Sequence, residues 1–193
     1  MYGNKLENIR VAAIMTDGFE QVEFTSPRDA LVSEGAVVHI VSPSQRLVRG
    51  MHHNRPGDQF EIDVPIDQAN PEDYDAVLLP GGVANADKLR ENESVQNFLR
   101  HINEQNKLIA VICHGPWTLI SAGLVSGRRM TSYHTIKDDL INAGARWVDE
   151  AVVEDENFLS SRHPGDLPEF DKHLVDKLAQ TQHAHAYRAG VEW

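Results

Sequence analysis

Cysteine occurs once in the 193-residue chain, as Cys113, and His114 follows it directly in the segment "AVICHGPWTL". A thiolate is a strong nucleophile, and a neighbouring imidazole is able to take its proton or to pair with it as an imidazolium. Adjacent side chains of an extended segment point in opposite directions, so this pairing requires a sharp turn after Cys113. The alternative interpretation, which the pattern leaves open, is a small apolar residue at the end of a core strand and a histidine bonded to backbone.

Short apolar runs indicate the elements that carry these residues. They lie at 9–15, 75–80 and 108–113, with a fourth at 36–42. None of them alternates with polar residues, as is typical of strands covered on both faces in a parallel sheet. Helical patterns lie between the runs. The alternation predicts an α/β fold, a doubly wound and mostly parallel sheet with helices on both faces.

A turn at Cys113 would form an elbow. The strand is predicted to stop there, and Pro116 suits the first turn of a following helix. The free N–H groups and the positive end of that helix favour a thiolate over a thiol, and they are able to hold an oxyanion. Gly82 has no side chain, so it allows a second backbone N–H to approach.

Three segments follow three of the predicted strands directly: "TDGFE" (16–20), "PGG" (80–82) and "CHGP" (113–116). The functional crevice of a doubly wound sheet lies beyond the carboxyl ends of its strands, so we expect these segments to meet at one edge. Glu20 is then a candidate to hold a proton beside the thiol, since a carboxyl near a thiolate has a raised pKa. The alternative is an exposed glutamate in a first helical turn.

Other segments give local predictions. One helix starts either at a Ser26-Pro27 cap or near Glu20 with a kink at Pro27. Another follows Ser94, and Thr135-x-x-Asp138 resembles a capping box. The remaining predictions are a last helix through Leu178, a hairpin over 147–161, a loop with a possible small ribbon at 43–61, and a single domain over 1–180 followed by a tail at 181–193.

Composition excludes some classes of function. The chain carries 18 basic and 29 acidic residues, a net charge of −11, which disfavours nucleic acid and anionic lipid as partners. No apolar run reaches the length of a membrane span, and the N-terminus does not resemble a signal peptide. A lone cysteine suits a reducing cytoplasm. His52-His53 and His183-x-His185 lack partners at familiar metal spacings, so we expect no metal and no other cofactor.

The quoted motifs, taken together and in order, resemble the PfpI/ThiJ superfamily, and its PfpI branch of intracellular peptidases and stress proteins in particular. The matching segments run from about residue 9 to 178: "DGFE", "LLPGG", "ICHGPWTLISAG", "TSY", "KDDLINAGA" and "SSRHPGDLPEF". The resemblance implies a flavodoxin-like fold related to class I glutamine amidotransferases. It also implies a Cys113 nucleophile on a strained elbow and a glutamate, Glu20, bonded to the thiol.

The resemblance implies further roles. His114 is the partner of the cysteine, and a carboxylate from a neighbouring subunit orients it. Asp87 in "VANADKLR" is the only acid near that position, although Ala86 stands where related sequences often have proline. Tyr133 resembles a residue that lines the family's pocket, and dimers or hexamers are implied.

Three functions remain open from the sequence. The first is a stress-protection enzyme whose Cys113 adds to a reactive carbonyl such as methylglyoxal or its early protein adducts, with oxyanion donors near Gly81, Gly82 and His114. The second is a cysteine peptidase with the same residues. The third is a non-enzymatic redox-sensing chaperone in which Cys113 is oxidised.

Overall fold

A computed structural model describes the backbone of residues 4–188 and the side chains of residues 4–181. The strands are β1 (Arg10–Ile14), β2 (Phe19–Glu20), β3 (Val37–Ser42), β4 (Leu47–His52), β5 (Arg55–Glu61), β6 (Val64–Pro65), β7 (Ala76–Leu79), β8 (Leu108–Ile112), β9 (Arg129–Met130), β10 (Arg146–Trp147), β11 (Val152–Asp155) and β12 (Phe158–Ser161). The helices are α1 (Gln21–Ser33), α2 (Val83–Arg90), α3 (Glu93–Glu104), α4 (Pro116–Ser121), α5 (Lys137–Asn142) and α6 (Leu167–Arg188).

The main sheet has the order β11-β12-β8-β7-β1-β3-β6. Every neighbouring pair is parallel except β11 with β12, which is antiparallel. The flavodoxin-like α/β fold predicted from the sequence is therefore confirmed. Strand β7 lies between β1 and β8, so the segments that follow these three strands leave the sheet side by side.

Two apolar cores cover the two faces of this sheet. One contains side chains of α1 and α6, including Phe24, Leu31 and Phe170. The other contains side chains of α2 to α5, including Phe98 and Leu119. Strands β1, β7 and β8 contribute to both cores because their alternate residues point to opposite faces. The absence of polar alternation in these runs follows from this double burial.

A second, smaller sheet has the order β2-β4-β5. Its β4 and β5 form an antiparallel hairpin over residues 47–61, where the sequence predicts a loop with at most a small ribbon. Strand β2 pairs in parallel with β4, through Phe19 opposite Gly50 and Glu20 opposite Met51. The hairpin is thus attached to the residues that lead into α1.

Helix boundaries differ from several of the local predictions. Helix α1 starts at Gln21 and continues through Pro27, so the cap predicted at Ser26 is wrong and the earlier start is correct. The cap of α3 is Asn92, whose side chain accepts a hydrogen bond from Val95 N, rather than Ser94. Helix α5 begins after a short 3-10 turn and has no side-chain cap, so the capping box at Thr135 does not form.

The C-terminal elements also differ from the prediction. The hairpin is shorter than predicted, since β11 begins only at Val152. Helix α6 extends as far as Arg188, and the division into a domain over 1–180 and a tail stays a prediction. Residues 189–193 lie outside the described residues. No helix within residues 4–188 combines the length and the apolar character that crossing a membrane requires.

Candidate active site

Cys113 forms an elbow between β8 and α4. Its φ is +63°, a left-handed conformation that costs free energy for a residue with a side chain. The elbow is fixed on both sides: Cys113 N donates to Ser161 O at 3.1 Å, and Tyr133 N donates to Cys113 O at 2.9 Å. The backbone is therefore held in a strained turn at the only cysteine of the chain.

His114 reaches back to the sulfur because of this turn. Its Nδ1 lies 3.2 Å from Cys113 Sγ, and its Nε2 lies 3.3 Å from Thr135 Oγ1. When the proton is on Nε2, the ring donates to Thr135 and Nδ1 is free to accept the thiol proton. Burial, with a smaller effect from nearby His134, lowers the pKa of His114 and favours this neutral form.

The carboxyl beside the thiol belongs to Glu23, and the assignment of that contact to Glu20 is wrong. Glu23 is fully buried in the first turn of α1, and it hydrogen-bonds the Cys113 thiol. Its Oε2 also accepts a hydrogen bond from Gly81 N at 2.7 Å. Glu20 is the residue before α1, and its Oε2 instead accepts a hydrogen bond from His53 N at 3.0 Å. Three residues further along, the helix turns Glu23 inward, onto the face that carries Phe24.

Two glycines allow the strand ends to approach each other. A Cβ added at Gly81 would lie 2.5 Å from Glu23 Oε2 and 2.6 Å from Cys113 Cβ. Gly82 has a φ of +88°, and a Cβ there would lie 2.3 Å from Gly18 O. The backbone N–H groups of Gly82 and His114 both hydrogen-bond the sulfur. The predicted meeting of the three segments at one sheet edge is confirmed by these contacts.

The thiol and the Glu23 carboxyl are both buried. Burial is the main cause that raises the pKa of Cys113 above its ordinary value, and the nearby Glu23 raises it further. The N–H groups of Gly82 and His114 oppose this effect. The sequence predicts a lowered pKa for this thiol, because the positive end of the following helix dipole favours the thiolate. Helix α4 has only six residues, and Cys113 is only 7% exposed, so desolvation dominates.

Burial also raises the pKa of Glu23 from 4.5 to about 8, so this carboxyl is protonated at neutral pH. Its Oε1 is buried and makes no hydrogen bond to a nitrogen or oxygen of the described residues. At neutral pH this carboxyl places no negative charge against the sulfur, and its charge opposes the thiolate only at higher pH, where Glu23 is ionised. The site at rest therefore contains a thiol, a protonated carboxyl and a neutral imidazole.

An open pocket of about 900 Å³ gives access to this site. Its wall includes Glu23, Cys113 and His114, together with residues from four other segments. The further lining residues are Gly18, Glu20, Met51, His53, Asn54, Gly82, Val83, Ala84, Tyr133, His134, Thr135, His163 and Pro164. Tyr133 stacks on the His114 ring with the centroids 5.0 Å apart. It thus holds the imidazole and lines the pocket at once.

Asp87 does not belong to this set within one chain. It is exposed on α2, one turn beyond the lining residues Val83 and Ala84. The role that the resemblance implies for it requires a second subunit, and it stays a prediction. Within residues 4–181, no three His, Cys, Asp or Glu side chains are grouped so that they would hold a metal ion. The His183-x-His185 pair lies outside the described side chains, and His52 is exposed.

Sequence reasoning missed Glu23, although a signal for it existed. Once α1 starts at Gln21, positions 23, 24, 27 and 31 fall on one helix face, and all four residues there are buried. A glutamate on an otherwise apolar face, three residues after a strand end, indicates a carboxyl that points into the site. The choice of Glu20 followed from its place in the segment after the first predicted strand and from the family resemblance of "DGFE".

We expect Glu23→Gln to change how stability depends on pH. Between pH 4.5 and 8 the unfolded carboxyl is ionised while the folded one keeps its proton. The free energy of unfolding therefore falls with rising pH, by at most about 1.4 kcal/mol per unit from this group. Glutamine has the same shape and no charge, so the variant should lose this slope. The measurement is Tm from pH 5 to 9, and parallel curves for the two proteins would contradict the assignment.

Known proteins are similar to this chain in sequence and in fold. Deglycase PfpI of Pyrococcus furiosus is 41% identical over 170 residues, which cover 88% of this chain and 99% of that protein. The putative cysteine protease YraA of Bacillus subtilis is 38% identical over 170 residues, with coverages of 88% and 98%. The crystal structure of Drosophila melanogaster DJ-1beta superposes with a TM-score of 0.81 at 29% identity, covering 96% of this chain and 99% of that one.

Residues 9–177 match the family model described as DJ-1/PfpI family. The match includes the elbow at Cys113, the Gly81-Gly82 turn and the first turn of α1, which together form the site described above. The chain therefore belongs to the DJ-1/PfpI family.

Proposed function

We propose that the protein is a stress-protection enzyme that uses Cys113 to attack reactive carbonyls, of the deglycase or glyoxalase type. The observation that carries the proposal is the contact of one sulfur with the His114 imidazole, the Glu23 carboxyl and two backbone N–H groups at the wall of an open pocket. Several relatives, including the one from Pyrococcus furiosus, are named deglycases. Methylglyoxal and its early adducts on amino groups are the proposed substrates.

The first step is addition of the thiol to the aldehyde carbon. The sulfur–carbon bond forms as the carbonyl double bond opens, and the thiol proton passes to His114 Nδ1 and then to the new alkoxide. The product is a hemithioacetal. Proton transfer at the moment of attack suits a thiol whose resting pKa is raised, because no free thiolate has to exist beforehand. The N–H groups of Gly82 and His114 lie beside the sulfur, and so beside the developing oxyanion.

The second step needs no external oxidant. The hydrogen on the aldehyde carbon moves to the adjacent ketone carbon, so the first carbon is oxidised to a thioester and the second is reduced to an alcohol. Water then hydrolyses the thioester, which releases lactate and returns the thiol. In a hemiaminal adduct the carbon–nitrogen bond breaks first. The hydroxyl proton passes to the amine, which leaves and restores the amino acid or protein, and the thiol then adds to the aldehyde that is set free.

Release of lactate tests the proposal. Purified protein is mixed with methylglyoxal, or with an amino acid that methylglyoxal has freshly modified, and lactate is measured over time. Iodoacetamide-treated protein is the matched control, because Cys113 is the only cysteine of the chain. We expect lactate from the untreated protein alone, and equal lactate from both samples would exclude a cysteine-dependent reaction.

We expect His114→Gln to lower the rate and to remove the acidic limb of its pH profile. Loss of a positioned base typically reduces a rate by about 10²–10⁴-fold. In the unchanged protein the rate should fall only below pH 6.5, since the pKa of His114 is lowered from that value. Glutamine does not titrate, so kcat/KM of the variant should stay flat through that range. A variant that keeps the acidic limb would show that another group is the base.

A peptidase is the second candidate. The name of the Bacillus subtilis relative favours it, and a Cys–His pair is equally suited to acyl transfer through a thioester. Turnover of casein or of a fluorogenic peptide, abolished by iodoacetamide, would support it, and lactate release without peptide turnover would support the carbonyl reaction. The redox-sensing role and assembly into dimers or hexamers stay predictions.

A further inference from the structure

The tip of the β4–β5 hairpin, formed by His53 and Asn54, is part of the pocket wall. Met51, His53 and Asn54 all line the pocket around Cys113. His53 has a φ of +56°, which is unfavourable for a residue with a side chain. Its side chain is 84% exposed, so packing of the imidazole does not hold the tip in this conformation.

Glu20 supplies a side-chain contact to the tip, in addition to the pairing of His52 with Arg55 at the end of the β4–β5 ladder. Its Oε2 accepts a hydrogen bond from His53 N at 3.0 Å and lies 3.7 Å from His53 Nδ1. The Glu20 side chain is only 13% exposed, because it too lies in the pocket wall. A hydrogen bond to a partly buried carboxylate is stronger than one between neutral groups, so it is able to offset the strained backbone of His53.

The two strands of the hairpin are fixed separately. Gln21 Nε2 donates to Asp58 Oδ2 at 2.7 Å, and Asp58 N donates to Gln21 Oε1 at 2.7 Å. Arg49 N donates to Asp17 Oδ1 at 2.8 Å on the other strand. These three bonds involve neither His53 nor Glu20. Loss of the Glu20 contact should therefore release the tip while the rest of the hairpin stays in place.

We infer that Glu20 is a positioning residue that fastens the His53-Asn54 tip over the pocket and so admits compact carbonyl groups to Cys113 while excluding bulky ones. This inference deepens the proposed function and rests on Cys113 being the reacting group. Glu20 acts through the backbone of His53, and the carboxyl that touches the sulfur is that of Glu23. Glu20 thus determines specificity rather than the chemical step.

Two alkylating reagents with the same reactive group test this inference. Iodoacetamide is small, and N-pyrenyl iodoacetamide carries a bulky aromatic group, and in both the sulfur displaces iodide. The ratio of the pyrenyl rate to the iodoacetamide rate at Cys113 reports how wide the entrance is. It cancels changes in the nucleophilicity of the sulfur, because these affect both rates alike.

We expect Glu20→Ala to raise this ratio by roughly five-fold, the effect of one lost hydrogen bond. Glu20→Gln should raise the ratio less than Glu20→Ala does, since the amide oxygen still accepts from His53 N but the bond is weaker without the carboxylate charge. Glu104→Ala removes an exposed glutamate of α3 and is the matched control for loss of charge. An unchanged ratio in Glu20→Ala would overturn the inference, and so would a ratio in Glu20→Gln equal to that in Glu20→Ala.

Hydrogen exchange gives a second readout that does not require Glu20→Ala to fold. The amide of His53 should exchange more slowly than that of exposed Asn54 in the unchanged protein, and it should stay protected in Glu20→Gln. Equal exchange of the two amides in the unchanged protein would contradict the inference. Failure of lactate release would reject the carbonyl reaction while the alkylation ratio still decides the role of Glu20.

Discussion

Replacing Cys113 by serine is expected to reduce kcat/KM for lactate release by about 10³-fold or more. A hydroxyl holds its proton far more tightly than a thiol does, so the neutral His114 imidazole is unable to take it. The N–H groups of Gly82 and His114 remain in place, and they have no effective nucleophile beside them. The loss should therefore appear in kcat, with substrate binding little changed.

Stability separates this chemical effect from a structural one. Serine is close to cysteine in size, and its hydroxyl is able to bond to His114 Nδ1 in place of the thiol, so Tm should change by only a few degrees. Cys113→Ala is the companion variant, because it keeps a side chain at the same φ of +63° and has no reactive atom. If either variant keeps a tenth of the lactate release, Cys113 is not the nucleophile.

Gly82→Ala should be the most destabilising of the substitutions considered. The new Cβ would lie 2.3 Å from Gly18 O and 2.8 Å from Glu20 N, which are backbone atoms that cannot turn away. Alanine at a φ of +88° also carries a backbone penalty of about 1–2 kcal/mol. Relief of the clash requires β2 and the start of α2 to separate. The Gly82 N–H would then leave the sulfur.

Gly123→Ala is the matched control, since Gly123 has a φ of +77° and open space around the added Cβ. It should show the backbone penalty alone, roughly 2–8 °C in Tm for a chain of this size. Gly82→Ala should lose at least about 10 °C and should also slow alkylation of Cys113 by iodoacetamide. Equal losses of Tm in the two variants would show that the close approach at Gly82 does not matter.

The central sheet was predictable because its signal is strong and local. Runs such as 75–80 and 108–113 are apolar on both faces, and few structures other than a covered parallel strand require that. Topology rules then place the segments after these strands at one edge, which brings Gly82 and Cys113 together. The elbow was predictable for the same reason, since Pro116 cannot continue a strand.

The partner of the thiol was not predicted correctly because it depends on where a helix begins. Glu20 and Glu23 both lie near the strand end, and only the start of α1 at Gln21 decides which carboxyl turns inward. The predicted direction of the thiol pKa shift was wrong for a different reason. The dipole of a helix can be anticipated from sequence, whereas burial of the sulfur against Glu23 depends on packing from three separate segments.

The cap residue of α3 and the geometry of the β4–β5 hairpin were also not predictable from the sequence. Ser94 and Asn92 are both good caps, and the choice follows from the turn after α2. The β4–β5 hairpin is stabilised by Gln21 and Asp58, which are 37 positions apart in the chain. No local pattern in residues 43–61 reports a contact of that kind.

Pro27 removes one backbone hydrogen bond from α1, and this affects the heat resistance of the protein. It follows Glu23 by four positions inside the helix, and proline has no N–H, so the peptide oxygen of Glu23 lacks its usual partner in the ladder. Exchanging this proline for alanine would close the gap and stiffen the turn. This change would occur in the turn that contains Glu23, whose side-chain carboxyl must keep its contact with the sulfur. Other positions are therefore better first choices for raising the heat resistance of the enzyme.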